Sequence, residues 1–150
     1  MIEWSTDKEI AQKIFTMPSI WPWISDDTCN LDSFKCPEID GIKIRLALCY
    51  NDKNLCGCFF FMEKSHKATE IHTCLFVHGL AKKFGDEIIE KVFNDTDYES
   101  IETFIPIDNP AAKKLAIKCG FSYSGQKDPI IKNGLSVPVE AWELKKCQQQ

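Results

Sequence analysis

The stretch Asn109-Pro110-Ala111-Ala112-Lys113-Lys114-Leu115-Ala116-Ile117-Lys118-Cys119-Gly120-Phe121 decides how the rest of the chain is read. Asn is a favoured N-cap because its side-chain oxygen accepts a free first-turn N–H, and Pro at the next position loses no helical hydrogen bond. Ala112, Leu115, Ala116 and Cys119 recur at helical spacing as a buried stripe, with Lys113, Lys114 and Lys118 on the wet side. Gly120 closes the helix as its C-terminal cap.

Working outward, residues 100–107 read as a strand entering this helix, and 121–125 and 137–144 as strands leaving it, linked by a loop containing Asn133-Gly134. Further upstream, Ile88, Ile89, Val92 and Phe93 form another helical stripe, with Asp86 and Glu87 expected in its first turn, where the dipole favours acids. Before it the period drops to two. Ile42, Ile44, Leu46, Leu48 and Tyr50 alternate with Lys43, Arg45, Ala47 and Cys49 to give one strongly apolar face, 55–62 are apolar on both faces, and 69–77 make a third long strand. Asn51-Asp52-Lys53-Asn54 between the first two is turn chemistry. Near the N-terminus, Thr6-Asp7-Lys8-Glu9 reads as a capping box for a helix over residues 7–16, and Trp21-Pro22-Trp23-Ile24 as a short second helix. The order α α β β β α β α β β predicts a mixed α/β fold.

The 150 residues predict one domain over 1–147, with Gln148-Gln149-Gln150 as a disordered tail. Hydrophobic residues make up 44% and charged residues 27%, which excludes a disordered or fibrous chain. A formal charge of −4 argues against a sequence-blind grip on nucleic acid, which needs a basic domain. No apolar run approaches the ~18 residues of a membrane-crossing helix. Met1-Ile2-Glu3-Trp4-Ser5 lacks the charged and apolar parts of a secretory signal, so the expected location is cytoplasmic, with the cysteines reduced. Cys56-x-Cys58 is too tight for a zinc knuckle, and Cys29 and Cys36 have no second pair at finger spacing, so no metal site is predicted.

Between residues 77 and 86, Gly79, Gly85, Lys82 and Lys83 precede a helix, whose N-terminus presents free N–H groups to a phosphate. A loop with two glycines and two solvated lysines is the plainer reading. The segment from Asn109 to Phe121 resembles the N-x-x-A-x-x-L-x-x-x-x-G-F segment of the GCN5-related N-acetyltransferases. The preceding order of elements is also similar to that family, so the resemblance covers residues 1–145. Gly120-Phe121, Gly125, Asn133-Gly134 and Ala141-Trp142-Glu143-Leu144 look like the branch of ribosomal-protein N-terminal acetyltransferases, and like bacteriophage members including the Mom-type DNA modifiers.

The resemblance implies a mixed, mostly antiparallel central sheet flanked by helices on both faces, and acetyl-CoA as co-substrate. Strands 69–77 and 100–107 are expected to run parallel and splay at one end, the former carrying a bulge. The helices starting near Lys83 and Asn109 are expected on opposite faces. Main-chain groups of Leu75, Phe76 and Val77 would hold the pantetheine arm. The family's Q/R-x-x-G-x-G/A pyrophosphate loop aligns with Leu80-Ala81-Lys82-Lys83-Phe84-Gly85, matching at Gly85 and departing at Leu80 and Lys83. Lys82, Lys83, Phe84, Gly85 and Asp86 would then border the phosphates, and Asn109 the amide arm. Where the family often has a Tyr acid, this chain has Ala116.

Acyl transfer to an amine needs a neutral nucleophile. Glu70 and His72, two residues apart on one strand, share a face, and His accepts a proton near neutrality. His72 is therefore the candidate base and Glu70 its orienting partner; an ordinary strand histidine is the alternative. Trp21 and Trp23 either pack in the core or line the acceptor pocket. The expected function is transfer of an acetyl group from acetyl-CoA by direct attack of an amine on a protein, a small molecule or a nucleobase. A non-catalytic binding or structural module and Mom-type base modification are the alternatives.

Overall fold

The computed structural model describes residues 1–148; Gln149 and Gln150 of the predicted tail lie outside them, and Gln148 ends a 3-10 turn that begins at Lys146. The elements are β1 (Ile2–Ser5), α1 (Lys8–Phe15), α2 (Trp21–Ile24), β2 (Ile44–Asn51), β3 (Asn54–Ser65) and β4 (Ala68–Leu75). They continue with α3 (Ala81–Asp95), β5 (Ser100–Pro106), α4 (Pro110–Lys118), β6 (Ser122–Lys132) and β7 (Leu135–Lys145). The strands form a seven-stranded sheet in the order β1-β2-β3-β4-β5-β7-β6. Neighbours are antiparallel except β4 and β5, which are parallel.

Several local expectations change in detail. β1 is additional: four residues are too few for an alternation to show, and it exists by pairing Ile2 with Cys49 through Ser5 with Leu46. The N-cap of α1 is Asp7 rather than Thr6, its carboxylate accepting the Glu9 and Ile10 amides at 3.1 Å each. A charged acceptor at a helix N-terminus outbids a hydroxyl. α3 starts at Ala81, so Asp86 and Glu87 are not in its first turn, which holds Lys82 and Lys83 instead. β6 extends to Lys132 and meets β7 at a two-residue Asn133-Gly134 turn, both residues at positive φ. Its outer half carries Pro129 and a register break between Lys127 and Ile130, edge-strand features that erase a period-2 pattern.

Helices cover both faces of the sheet, but α3 and α4 share one face, correcting the expectation that they lie on opposite sides. Phe59, Phe61, Ile71, Ile101 and Ile105 pack there against Phe84, Ile88, Ile89 and Val92 of α3 and Ala116 of α4. The other face buries Leu46, Leu48, Cys58, Phe60 and Cys74 under Ala11, Ile14 and Phe15 of α1. The reason is handedness. β4–α3–β5 and β5–α4–β6 both step the same way along the sheet between parallel strands, and right-handed crossovers in one direction land on one face. Among the described residues no helix is long and apolar enough to cross a membrane.

Candidate active site

The parallel pair β4–β5 is joined only at Ala68/Ser100, Thr69/Ile101 and Glu70/Glu102. Beyond Glu70 the strands part. At the crotch Thr103 Oγ1 donates to Ile71 O at 3.4 Å. On its other side β4 pairs with β3 in unbroken register from Thr69 to Leu75, so the expected bulge is absent from that pairing. The irregularity sits one strand further out, between Cys49 and Tyr50 of β2, opposite Gly57. Gly57 has φ +141°, and a Cβ there would stand 2.2 Å from Cys74 O. Only glycine lets β3 approach β4 this closely where β4 leaves β5.

Strand amides alternate in direction. Phe76 N–H donates to Cys56 O at 3.0 Å, toward β3, so it is not available to the gap. The same alternation turns the Leu75 amide into the gap. Val77 and Ile107, where the two strands end, are 38% and 56% exposed, an apolar mouth to the cleft.

Five residues separate β4 from α3, whose N-cap Leu80 provides no side-chain hydrogen bond. Phe84 N–H is paired with Leu80 O at 3.0 Å, which leaves the amides of Ala81, Lys82 and Lys83 without helical acceptors. The first turn thus carries unpaired donors, the positive dipole end and two exposed lysines, the chemistry of an anion site. The aligned residues divide by role. Lys82 is paired with Asp86, whereas Lys83 forms no ion pair among the described residues. Phe84 is fully buried in the core. Gly85 is helical: a Cβ on it would sit 2.7 Å from Cys119 Sγ, so it is a contact between α3 and α4 rather than a loop glycine. Asp86 opens on a recess of ≈550 Å³ beside α3, with Glu90, Asn94 and Lys146, away from the strand gap. Asn109 caps α4, its Oδ1 accepting Ala112 N–H at 3.2 Å, directly after the end of β5. Burial pushes the Cys119 thiol up, as expected for a core cysteine.

Glu70 and His72 project from β4 onto the α1 face. The Glu70 side chain is only 7% exposed, and its oxygens are divided between two partners. Oε1 lies 2.8 Å from His72 Nε2 and Oε2 lies 2.9 Å from Lys64 Nζ at the end of β3. The His72 contact is close but off the N–H axis, so Nε2 is buried without a full hydrogen bond. Burial pushes the Glu70 carboxyl up, but the contacts of His72 and Lys64 outweigh it and hold the carboxyl below its usual range. Nε2 is directed at Glu70, which leaves Nδ1 as the ring nitrogen outside that contact.

Sequence reading missed the groups beside this pair. Glu70, Glu102 and Glu143 lie directly opposite one another on β4, β5 and β7. At about 4.8 Å between strands, the row spans about 10 Å. Phe104, two residues beyond Glu102, lies under Lys127 Nζ at 4.3 Å and Lys64 Nζ at 5.5 Å. Glu102-x-Phe104 was visible as an alternation, but its neighbours were not.

Trp21 packs edge-on against Phe34, 5.1 Å between centroids, in an aromatic group with Phe15 and Phe60. Trp23 is 52% exposed and lies 5.6 Å beneath Lys132 Nζ of the β6–β7 hairpin. Asp27 ties the hairpin tip to the segment after α2, its carboxylate accepting Asn133 and Gly134 amides at 2.8 Å each. Of the two tryptophans, Trp23 stands in the space between α2 and the hairpin.

No family model matches the chain, and no curated protein matches it in sequence. Solved structures do match in shape. The spermidine N-acetyltransferase of Vibrio cholerae, in complex with CoA and spermine, aligns with a TM-score of 0.71 at 16% identity, over 98% of this chain and 96% of that one. The aminoglycoside acetyltransferase AAC(6')-Ib, with coenzyme A and kanamycin, reaches 0.73 at 14% identity, over 99% and 96%. The Campylobacter jejuni N-acetyltransferase PseH, with acetyl coenzyme A, reaches 0.59 at 17%, over 69% of each chain. The chain has the N-acetyltransferase fold. Its mixed, mostly antiparallel sheet with helices on both faces is the fold expected from the resemblance at Asn109–Phe121.

Proposed function

We propose that the chain is an acetyl-CoA-dependent N-acetyltransferase acting on a small cationic amine. The observation that carries this is the parting of β4 and β5 immediately after Glu70 and Glu102, beside the uncapped start of α3. A pantetheine arm fits a slot with free strand amides on its edge, and its phosphates fit the Ala81–Lys83 amides with Lys83 alongside. The shared fold with structures that contain CoA supports the assignment. Acetyl-CoA supplies an activated acetyl group; the residues around it position the amine and handle its proton.

In this reading His72 Nδ1 takes the proton from the acceptor ammonium, directly or through one water, and Glu70 stabilises the imidazolium that results. The Leu75 amide, turned into the gap, is an oxyanion donor of the kind that contributes a few kcal/mol to acyl transfer. No hydroxyl stands at Ala116 to protonate the leaving group, and a thiolate of pKa ~8.5 can take its proton from water. Glu102 and Glu143 favour a cationic acceptor: like charges opposed across strands cost stability, and an ammonium bound among them relieves that cost. The same row disfavours a DNA base flanked by phosphates, and with it Mom-type chemistry. Spermine and kanamycin, held by the two structures of similar shape, are both polycationic amines.

Isothermal titration with acetyl-CoA, followed by an assay across polyamines, aminoglycosides and peptide N-termini, tests the proposal. Saturable binding and transfer to a polycationic amine are expected. Binding with no transfer to any amine would establish the non-catalytic module instead, and no binding would remove both.

A further inference from the structure

We infer that Lys64 is a positioning residue that acts through Glu70 to keep His72 uncharged, and so able to accept a proton, at neutral pH. The inference rests on His72 as the proton acceptor in the proposed transfer.

Glu70 is nearly enclosed, and two groups touch its oxygens, His72 Nε2 on Oε1 and Lys64 Nζ on Oε2. A buried carboxylate facing an imidazole alone draws a proton onto it, because the ion pair is the best-compensated state. An imidazolium has no lone pair left for an acceptor's proton. The Lys64 ammonium, 2.9 Å from Oε2, already compensates the carboxylate, so His72 can remain neutral beside it.

The surrounding charges make this compensation necessary. Glu102 on β5 faces Glu70 in register, and Glu143 on β7 faces Glu102. Both add negative charge beside the Glu70–His72 pair. On this face Lys64 from β3 and Lys127 from β6 share the ring of Phe104, two residues beyond Glu102. Of the two, only Lys64 touches Glu70. Removing a positive charge raises the proton affinity of every neighbouring group. The sign is therefore the same whether the proton settles on Glu70 or on His72, and the pair titrates as a unit.

The test follows the imidazole signals of the free protein by NMR against pH, for wild type, Lys64→Met and Lys64→Arg. The chain has three histidines, so His72→Gln assigns the signal. Lys64→Met is expected to move the His72 midpoint up by about one pH unit. Lys64→Arg, which keeps the charge, is expected to leave it near the wild-type position. The rising limb of the pH–rate profile should move in step, with the KM for acetyl-CoA unchanged. An unmoved or lowered midpoint in Lys64→Met overturns the inference. Lys64→Gln provides the same comparison if the Met variant does not fold. The NMR arm requires no turnover, so a wild-type protein that transfers no acetyl group defeats the functional reading while Lys64 is still judged by the titration.

Discussion

Glu70 on β4 and Glu102 on β5 form the last pair that the two parallel strands hold in register. Their position makes one feature do two things. The strand edges beyond them are released to face a ligand, and two carboxylates are left side by side at the apex of the opening. Glu70 is compensated by Lys64 and His72, whereas Glu102 is half-buried with no ion pair among the described residues. The opening and the charge proposed to select an amine therefore come from the same pair.

His72→Gln should lower turnover by roughly 10²–10⁴-fold, the usual weight of general acid–base help. Acetyl-CoA affinity should change little, and the rising limb of the pH–rate profile should disappear. Turnover near wild type at pH 7 would mean that the acceptor loses its proton to bulk water.

Lys83 and Lys82 should differ. Lys82 is already paired with Asp86, while Lys83 has no such partner. Lys83→Met is expected to weaken acetyl-CoA binding more than Lys82→Met in calorimetry at low salt. The wild-type affinity should also fall more steeply with salt than that of Lys83→Met, since screening acts on the lost attraction. Equal affinities for both variants and wild type would show the lysines to be a solvated surface.

Glu70 links stability to acid. Its folded pKa lies below the ordinary 4.5, so its contribution is fully present above that value and lost as pH falls through the folded pKa. The urea midpoint of the wild type should drop below pH 4.5 more steeply than that of Glu70→Gln. Parallel curves for the two proteins would remove Glu70 as the cause.

Gly85 and Cys119 should be coupled. A methyl at Gly85 meets Cys119 Sγ at 2.7 Å, so Gly85→Ala should destabilise the fold by about 1–3 kcal/mol, the range for overpacking. Adding Cys119→Ala removes the obstructing sulfur, and the double variant should recover part of that loss. Strict additivity in urea denaturation would show that the two side chains do not meet.

Local signals in the chain are strong where a few neighbouring residues suffice. Asn109-Pro110 begins α4 because the cap is satisfied three residues away, and Asn133-Gly134 turns the hairpin because both residues tolerate positive φ. The stripe of α3 follows from burial of one helix face, and Glu70 and His72 share a side because strand side chains repeat every two residues. The order of these elements, with the Asn109–Phe121 segment, was enough for the fold class.

What the chain could not announce depends on partners far away in sequence. β1 is a strand only because β2 offers it an edge, and β6 is long only because β7 pairs with it. α3 and α4 share a face because strand order and crossover handedness act together, and neither is a property of the helices. Lys64 falls in the expected connection at 63–67, and Glu102, Glu143 and Phe104 read as ordinary strand residues, until the sheet sets them around Glu70. Pairing register and the parting of β4 from β5 are set by the whole sheet, so the charge around His72 exists only once the sheet has formed.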